Sequence, residues 1–90
     1  MTEYLVMCHG PYCASRLSKN LASWFHENHI SDCYYDRVFC GFSIELRSVG
    51  IIILFTAEVY RNIALRGFHG TVVSEYDVER FLDEHKEGCQ

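Results

Sequence analysis

The hydrophobic positions change their period along the chain, and each period predicts one type of element. Residues 4–8 are apolar on both faces, which is typical of a central strand, and His9-Gly10-Pro11 ends that strand. Within residues 14–28 the apolar residues recur at helical spacing, which predicts an amphipathic helix. The buried stripe of that helix consists of Ala14, Leu17, Leu21, Trp24 and Phe25.

From residue 37 the period changes to two, which predicts one long strand over 37–47 with a buried and a partly wet face. Val38, Cys40, Phe42, Ile44 and Leu46 form the face expected to be buried. The apolar run 51–55 follows after only three residues, too few for the crossover that parallel strands require. The two strands are therefore predicted to form a hairpin, with Gly50 in its turn.

Three further elements complete the pattern. A second helix is predicted over 57–66, a fourth strand over 71–73 and a third helix over 76–86. The order β-α-β-β-α-β matches the ferredoxin-like split βαβ topology, here with an extra C-terminal helix. Right-handed crossovers then place both crossover helices on one face of the sheet. The alternative is a small mixed-sheet α/β fold of three layers.

The composition is typical of one globular domain. Of the 90 residues, 49% are hydrophobic and 22% are charged, so residues 1–90 are expected to form a single compact α+β domain. No apolar run approaches the roughly 18 residues of a membrane span, and no signal-peptide pattern opens the chain. We expect no membrane association and a cytoplasmic location, in which the five cysteines stay reduced.

The net charge of −4 comes from one segment. Residues 75–87 hold six acidic and two basic residues, and the acids and bases of the remaining chain cancel. A chain of this kind lacks the clustered positive face that binds a phosphate backbone. The predicted third strand also lacks the basic-glycine-aromatic pattern of RNA recognition motifs. We therefore expect no nucleic-acid partner.

The most unusual segment is the Cys8–Arg16 loop, between the first strand and the first helix. Cys8, His9 and Cys13 are the residues that could hold a soft metal such as Cu(I) or Zn²⁺. In position, the two cysteines resemble the M-x-C-x-x-C loop of heavy-metal-associated domains, although their spacing here is C-x₄-C. A small anion at the helix N-terminus is the related alternative.

Catalytic interpretations of the same loop are weaker. The spacing from Gly10 to Arg16 approaches that of a P-loop, but three of the four signature positions differ. Cys13 near a helix N-terminus has the surroundings of a nucleophile, with His9 as a base, yet nothing in the sequence brings the two together. Because no convergent catalytic set is found, the sequence predicts neither an enzyme nor a cofactor.

Aromatic residues make up 14% of the chain, more than a core of this size can bury. Exposed aromatic and arginine side chains are typical of interfaces. We hypothesise a small non-enzymatic protein-binding module that regulates or inhibits a macromolecular partner, of the kind that phages and mobile elements encode. A homodimer through the sheet or its edge is a further expectation. The predicted contact residues are Arg37, Phe39 and Arg47 on the outer strand and Glu75, Asp77, Glu79, Asp83 and Glu84 on the acidic last helix.

Overall fold

The chain forms five strands and three helices, and the computed structural model describes residues 2–88, with side chains for residues 2–84. The strands are β1 (Thr2–Cys8), β2 (Cys33–Val38), β3 (Gly41–Leu46), β4 (Ile51–Ala57) and β5 (Thr71–Ser74). The helices are α1 (Pro11–Glu27), α2 (Arg61–Leu65) and α3 (Glu75–Gly88). Short 3-10 turns, Arg47–Val49 and Glu58–Tyr60, precede β4 and α2.

The five strands form one mixed sheet in the order β2-β3-β4-β1-β5. β1 pairs in parallel with β4 and β5, so the predicted central position of the first strand is confirmed. Leu5 and Val6 point to opposite faces of β1 and are both buried, which shows that both faces are covered. The predicted hairpin is confirmed as the antiparallel pair β3–β4, and Gly50 adopts the left-handed conformation in its turn.

The prediction of one long strand over 37–47 is wrong, because the chain reverses at Phe39 and Cys40 and forms the antiparallel pair β2–β3. Val38 pairs with Gly41 across this two-residue turn, and Arg37 pairs with Phe42. Paired residues share a face of the sheet, so the turn moves Val38 away from the face of Phe42. Val38 is consequently exposed, where the alternation placed it inside.

Compared with the predicted ferredoxin-like topology, the additional strand reverses the direction of every strand that follows it. In a split βαβ fold the strand after the first crossover runs parallel to β1, and its hairpin partner returns antiparallel. Here two successive hairpins follow α1, so β4 runs parallel to β1. The ferredoxin-like topology is therefore not confirmed, and the structure is a small α+β domain with a mixed five-stranded sheet and three helices.

The reversed direction also affects the helices. The crossover through α1 leads toward β2, whereas the crossover through α2 leads toward β5 on the other side of β1. Two right-handed crossovers in opposite directions between parallel strands place α1 and α2 on opposite faces. α2 is shorter than predicted, since β4 extends through Ala57 and a 3-10 turn follows it.

The main core lies between α1 and the sheet. The predicted stripe of α1 is confirmed for Ala14, Leu17, Leu21 and Phe25, whereas Trp24 is half-buried. Against this stripe pack the buried side chains Val6, Cys8, Ile44 and Phe55 of β1, β3 and β4. α3 packs on the same face, beside α1, where the ring of Trp24 makes an edge contact with Phe81 at 5.2 Å between centroids.

The outer edge of β2 carries a local hydrogen bond. The backbone N–H of Arg37 donates to the carboxylate of Asp36 over 2.8 Å. β2 is the last strand of the sheet on this side, among the residues that the structure describes. This donor is therefore occupied by a side chain of its own strand.

Candidate functional site

The carboxyl ends of four strands, β1, β2, β4 and β5, lie at one edge of the sheet. β1, β2 and β4 run in the same direction, so the segments that follow Cys8, Val38 and Ala57 lie together. They surround a cavity of about 490 Å³, which we name the hairpin cleft. Binding sites of sheets with parallel strands are typically found at this edge. The cleft is lined by Pro11, Tyr12, Ala14, Ser15, Lys19, Arg37, Val38, Phe39, Cys40, Gly41, Phe42, Ala57 and Tyr60.

The turn of the β2–β3 hairpin is held firmly against β4. The hydroxyl of Thr56, which is buried, donates to the carbonyl oxygen of Cys40 over 2.8 Å. Gly41 follows the turn so close to β4 that a Cβ atom on it would lie 1.9 Å from the Phe55 carbonyl oxygen. The turn therefore presents Phe39, whose side chain is 88% exposed, on a rigid support. A turn whose backbone is already fixed loses little backbone entropy when a partner covers it.

Large apolar side chains are concentrated around the hairpin cleft. Tyr12 is 79% exposed at the first turn of α1, and Val38 and Tyr60 are also exposed. Together with Phe39 they come from three separate segments of the chain. An apolar cluster of this kind at a concave surface is typical of an interaction site.

The hairpin cleft is also positively charged. Lys19 and Arg37 line it, and neither side chain forms a salt bridge with a carboxylate among residues 2–84. No aspartate or glutamate is among its lining residues. The cleft begins at the N-terminus of α1, whose first turn contains no acidic residue and carries the positive end of the helix dipole. Anionic groups are therefore favoured at this surface.

The predicted outer-strand residues are divided by the hairpin. Arg37 and Phe39 both line the hairpin cleft. Arg47 lies at the far end of the hairpin, where its guanidinium carbon is 3.9 Å from the centroid of the Tyr34 ring. Its Nε atom is also 3.7 Å from a carboxylate oxygen of Glu45. The structure thus brings Arg37 and Phe39 together and leaves Arg47 apart.

The predicted acidic face of α3 is partly used inside the molecule. The Glu75 side chain is only 12% exposed, and it accepts the backbone N–H of His9 over 3.2 Å. Glu79 forms an ion pair with Arg16 at 2.6 Å. These two contacts fasten the start of α3 to the β1–α1 loop, through His9, and to α1, through Arg16.

The remaining predicted acids are more open. Asp77 pairs with Arg80 one helical turn later, and both side chains remain more than half exposed. Asp83 and Glu84 are exposed near the end of the described side chains. This part of the acidic face is the most open to solvent, and its contact role stays a prediction.

The segment predicted as the Cys8–Arg16 loop is mostly helical, since α1 begins at Pro11, and it does not assemble the suggested metal ligands. Within residues 2–84, no group of three or more His, Cys, Asp or Glu side chains is placed to hold a metal ion. Burial, reinforced by the negative charge of Glu75, raises the pKa of the Cys8 thiol to about 12. Metal ligation needs the thiolate, which this environment disfavours. Cys8 instead packs in the core as a small apolar side chain.

The buried thiol of Cys8 predicts a loss of stability in alkali. Between pH 9 and about 12 the unfolded chain releases this proton while the folded protein retains it, so the free energy of unfolding falls as pH rises. Urea denaturation at steps from pH 8 to 11 measures the slope. We expect Cys8→Ala to flatten it in part, since burial raises the pKa of Cys33 in the same direction. If Cys8→Ala leaves the slope unchanged, the assignment to Cys8 is wrong.

Sequence reasoning missed three residues of the hairpin cleft. None of Tyr12, Lys19 and Tyr60 is among the contact residues predicted from the sequence. The signal for Tyr12 was present, since an aromatic residue directly after Pro11 sits at the first turn of a helix, outside the predicted stripe. Lys19 and Tyr60 belong to a candidate site only because the sheet brings loops from other parts of the chain beside them.

Comparisons with protein-family models, with curated proteins and with solved structures found no match to this chain. The helices that the structure describes include none with the length and apolar character needed to cross a membrane.

Proposed function

We propose that this protein is a small non-enzymatic protein-binding module that regulates or inhibits a macromolecular partner, and that it contacts the partner through the hairpin cleft. The observation that supports this proposal most directly is that exposed apolar side chains and two cations lie together on one rigid concave surface. Interfaces derive most of their affinity from a few such apolar anchors, surrounded by charged groups that steer association.

The lining of the hairpin cleft supports binding more than catalysis. Among its described residues there is no histidine, aspartate or glutamate, the side chains that most often act as general bases. The proposal also includes a reducing, cytoplasmic setting, which is supported by four free thiols within the described chain: Cys8, Cys13, Cys33 and Cys40.

A pulldown from native lysate with quantitative mass spectrometry tests the proposed function. We expect Phe39→Ser to reduce retention of a specific partner by about 30-fold or more, the usual effect of truncating an interface anchor. Arg37→Glu should weaken retention as well. Because both side chains are exposed, neither variant should change the melting temperature measured alongside.

The matched control is Val49→Ser, which alters an exposed apolar residue at the opposite end of the β2–β3 hairpin. This variant should retain the partner as the wild type does. If the wild-type protein retains no macromolecule, or if the Phe39 and control variants retain the same set equally, the proposed function fails.

A further inference from the structure

The basic side chains of the protein fall into two groups. Seven lie within residues 2–84, and four of them form salt bridges: Arg16, Arg47, Arg61 and Arg80. Of the other three, Lys19 and Arg37 line the hairpin cleft, and Arg66 lies outside its lining. The cleft thus concentrates unneutralised positive charge in a chain whose net charge is −4.

From this charge pattern we infer the chemistry of the partner, an inference that rests on the proposed function. The hairpin cleft binds an acidic peptide segment of the partner protein that also carries an apolar side chain. Carboxylates of the segment pair with Lys19 and Arg37, which need not break an existing salt bridge to do so. The apolar side chain packs among Tyr12, Phe39 and Tyr60, whose exposed surfaces line the same cleft.

An acidic peptide fits this surface better than a nucleic acid does. Affinity for a phosphate backbone grows with the number of phosphates that lysine and arginine neutralise, and the cleft supplies two such cations. The exposed acids Asp83 and Glu84 add to the net negative charge, which repels a polyanion along its length. A short segment with a few carboxylates experiences only the local field of the cleft.

Selection from a phage-displayed library of random peptides, on the intact immobilised protein, tests this inference. We expect the selected peptides to be enriched in aspartate and glutamate beside an aliphatic or aromatic residue. Fluorescence anisotropy with the best synthetic peptide then measures the dissociation constant. It should rise about tenfold or more in Arg37→Glu and in Lys19→Glu, and it should rise with added salt. Arg66→Glu is the matched control, and it should leave the dissociation constant unchanged.

The contrary outcomes separate the two proposals. If the selected peptides are neutral or basic and no longer bind the Phe39→Ser variant, the acidic chemistry is overturned. The hairpin cleft then remains a protein-binding site. Peptides that bind equally well to Phe39→Ser show that the cleft is not the contact surface, which overturns both proposals. A labelled oligothymidylate that binds the cleft more tightly than the acidic peptide also overturns the inference.

A second copy of this chain is the remaining alternative occupant, because α3 carries exposed acids beside the exposed Tyr76. Sedimentation equilibrium over micromolar concentrations distinguishes it. A monomer under all conditions agrees with a separate partner. Self-association that disappears in Arg37→Glu assigns the cleft to a copy of this chain and overturns the assignment to a different protein.

Discussion

Replacing Gly41 by alanine is expected to lower the free energy of unfolding by about 3 kcal/mol, a large part of the stability of a small domain. The added Cβ atom would lie 1.9 Å from the carbonyl oxygen of Phe55, a backbone atom that cannot rotate away. The backbone φ of +156° is a second obstacle, since side-chain-bearing residues rarely adopt it. Relief requires β3 to move away from β4 at the turn of the β2–β3 hairpin.

Urea denaturation of four glycine variants separates crowding from backbone strain. Gly70→Ala tests crowding without backbone strain. Gly70 has no positive φ, and a Cβ atom on it would lie 2.1 Å from the carbonyl oxygen of Glu3. Gly50→Ala tests the left-handed conformation alone and should cost about 1 kcal/mol, since no atom lies within 4 Å. Gly10→Ala has neither problem, and it should cost only the preference for glycine over alanine at the N-cap of α1, about 0.5 kcal/mol. A loss for Gly41→Ala no greater than that for Gly50→Ala would contradict the close approach to Phe55.

Truncating Phe55 to alanine is expected to cost about 3–5 kcal/mol. Its side chain is 1% exposed. Phe55 lies at the centre of the sheet, where it pairs with Val6 of β1 on one side and with Phe42 of β3 on the other. The loss combines the transfer of the ring out of water with the cavity that remains, because α1 and the neighbouring strands can close around it only in part. A variant with this loss would keep little margin of stability.

The denaturant midpoint and the calorimetric melting temperature both measure this effect. Val49→Ala provides the control, since its side chain is exposed after β3 and should change the stability by less than about 0.5 kcal/mol. If Phe55→Ala melts within a few degrees of the Val49 variant, Phe55 does not occupy the centre of the core.

Local periodicity predicted the elements whose partners are close in sequence or whose pattern is long. The stripe of α1 and the hairpin between β3 and β4 follow from the spacing of apolar residues and from a short connection. The β2–β3 turn could not be found in this way. Its two residues, Phe39 and Cys40, are apolar and lack the Asn-Gly or Asp-Gly signal of a tight hairpin, and the alternation continues through them without a break.

The candidate site, too, was predicted only as far as local sequence information reaches. Phe39 and Arg37 were predicted as contact residues because their types are typical of interfaces. Their companions Tyr12 and Tyr60 belong to other segments, which the parallel directions of β1, β2 and β4 bring together. Strand direction depends on the number of intervening reversals, so one missed turn changed both the topology and the composition of the site.

The hydrogen bond from the Arg37 N–H to Asp36 has a consequence for colloidal behaviour. A free strand edge can recruit an identical strand from another molecule, and repeated recruitment produces amyloid-like fibres. On β2 one donor that an incoming strand would need is already engaged, and the charges of Asp36 and Arg37 add a desolvation cost to strand addition. Addition of a further strand at this edge is therefore less favourable than at an edge whose donors are all free.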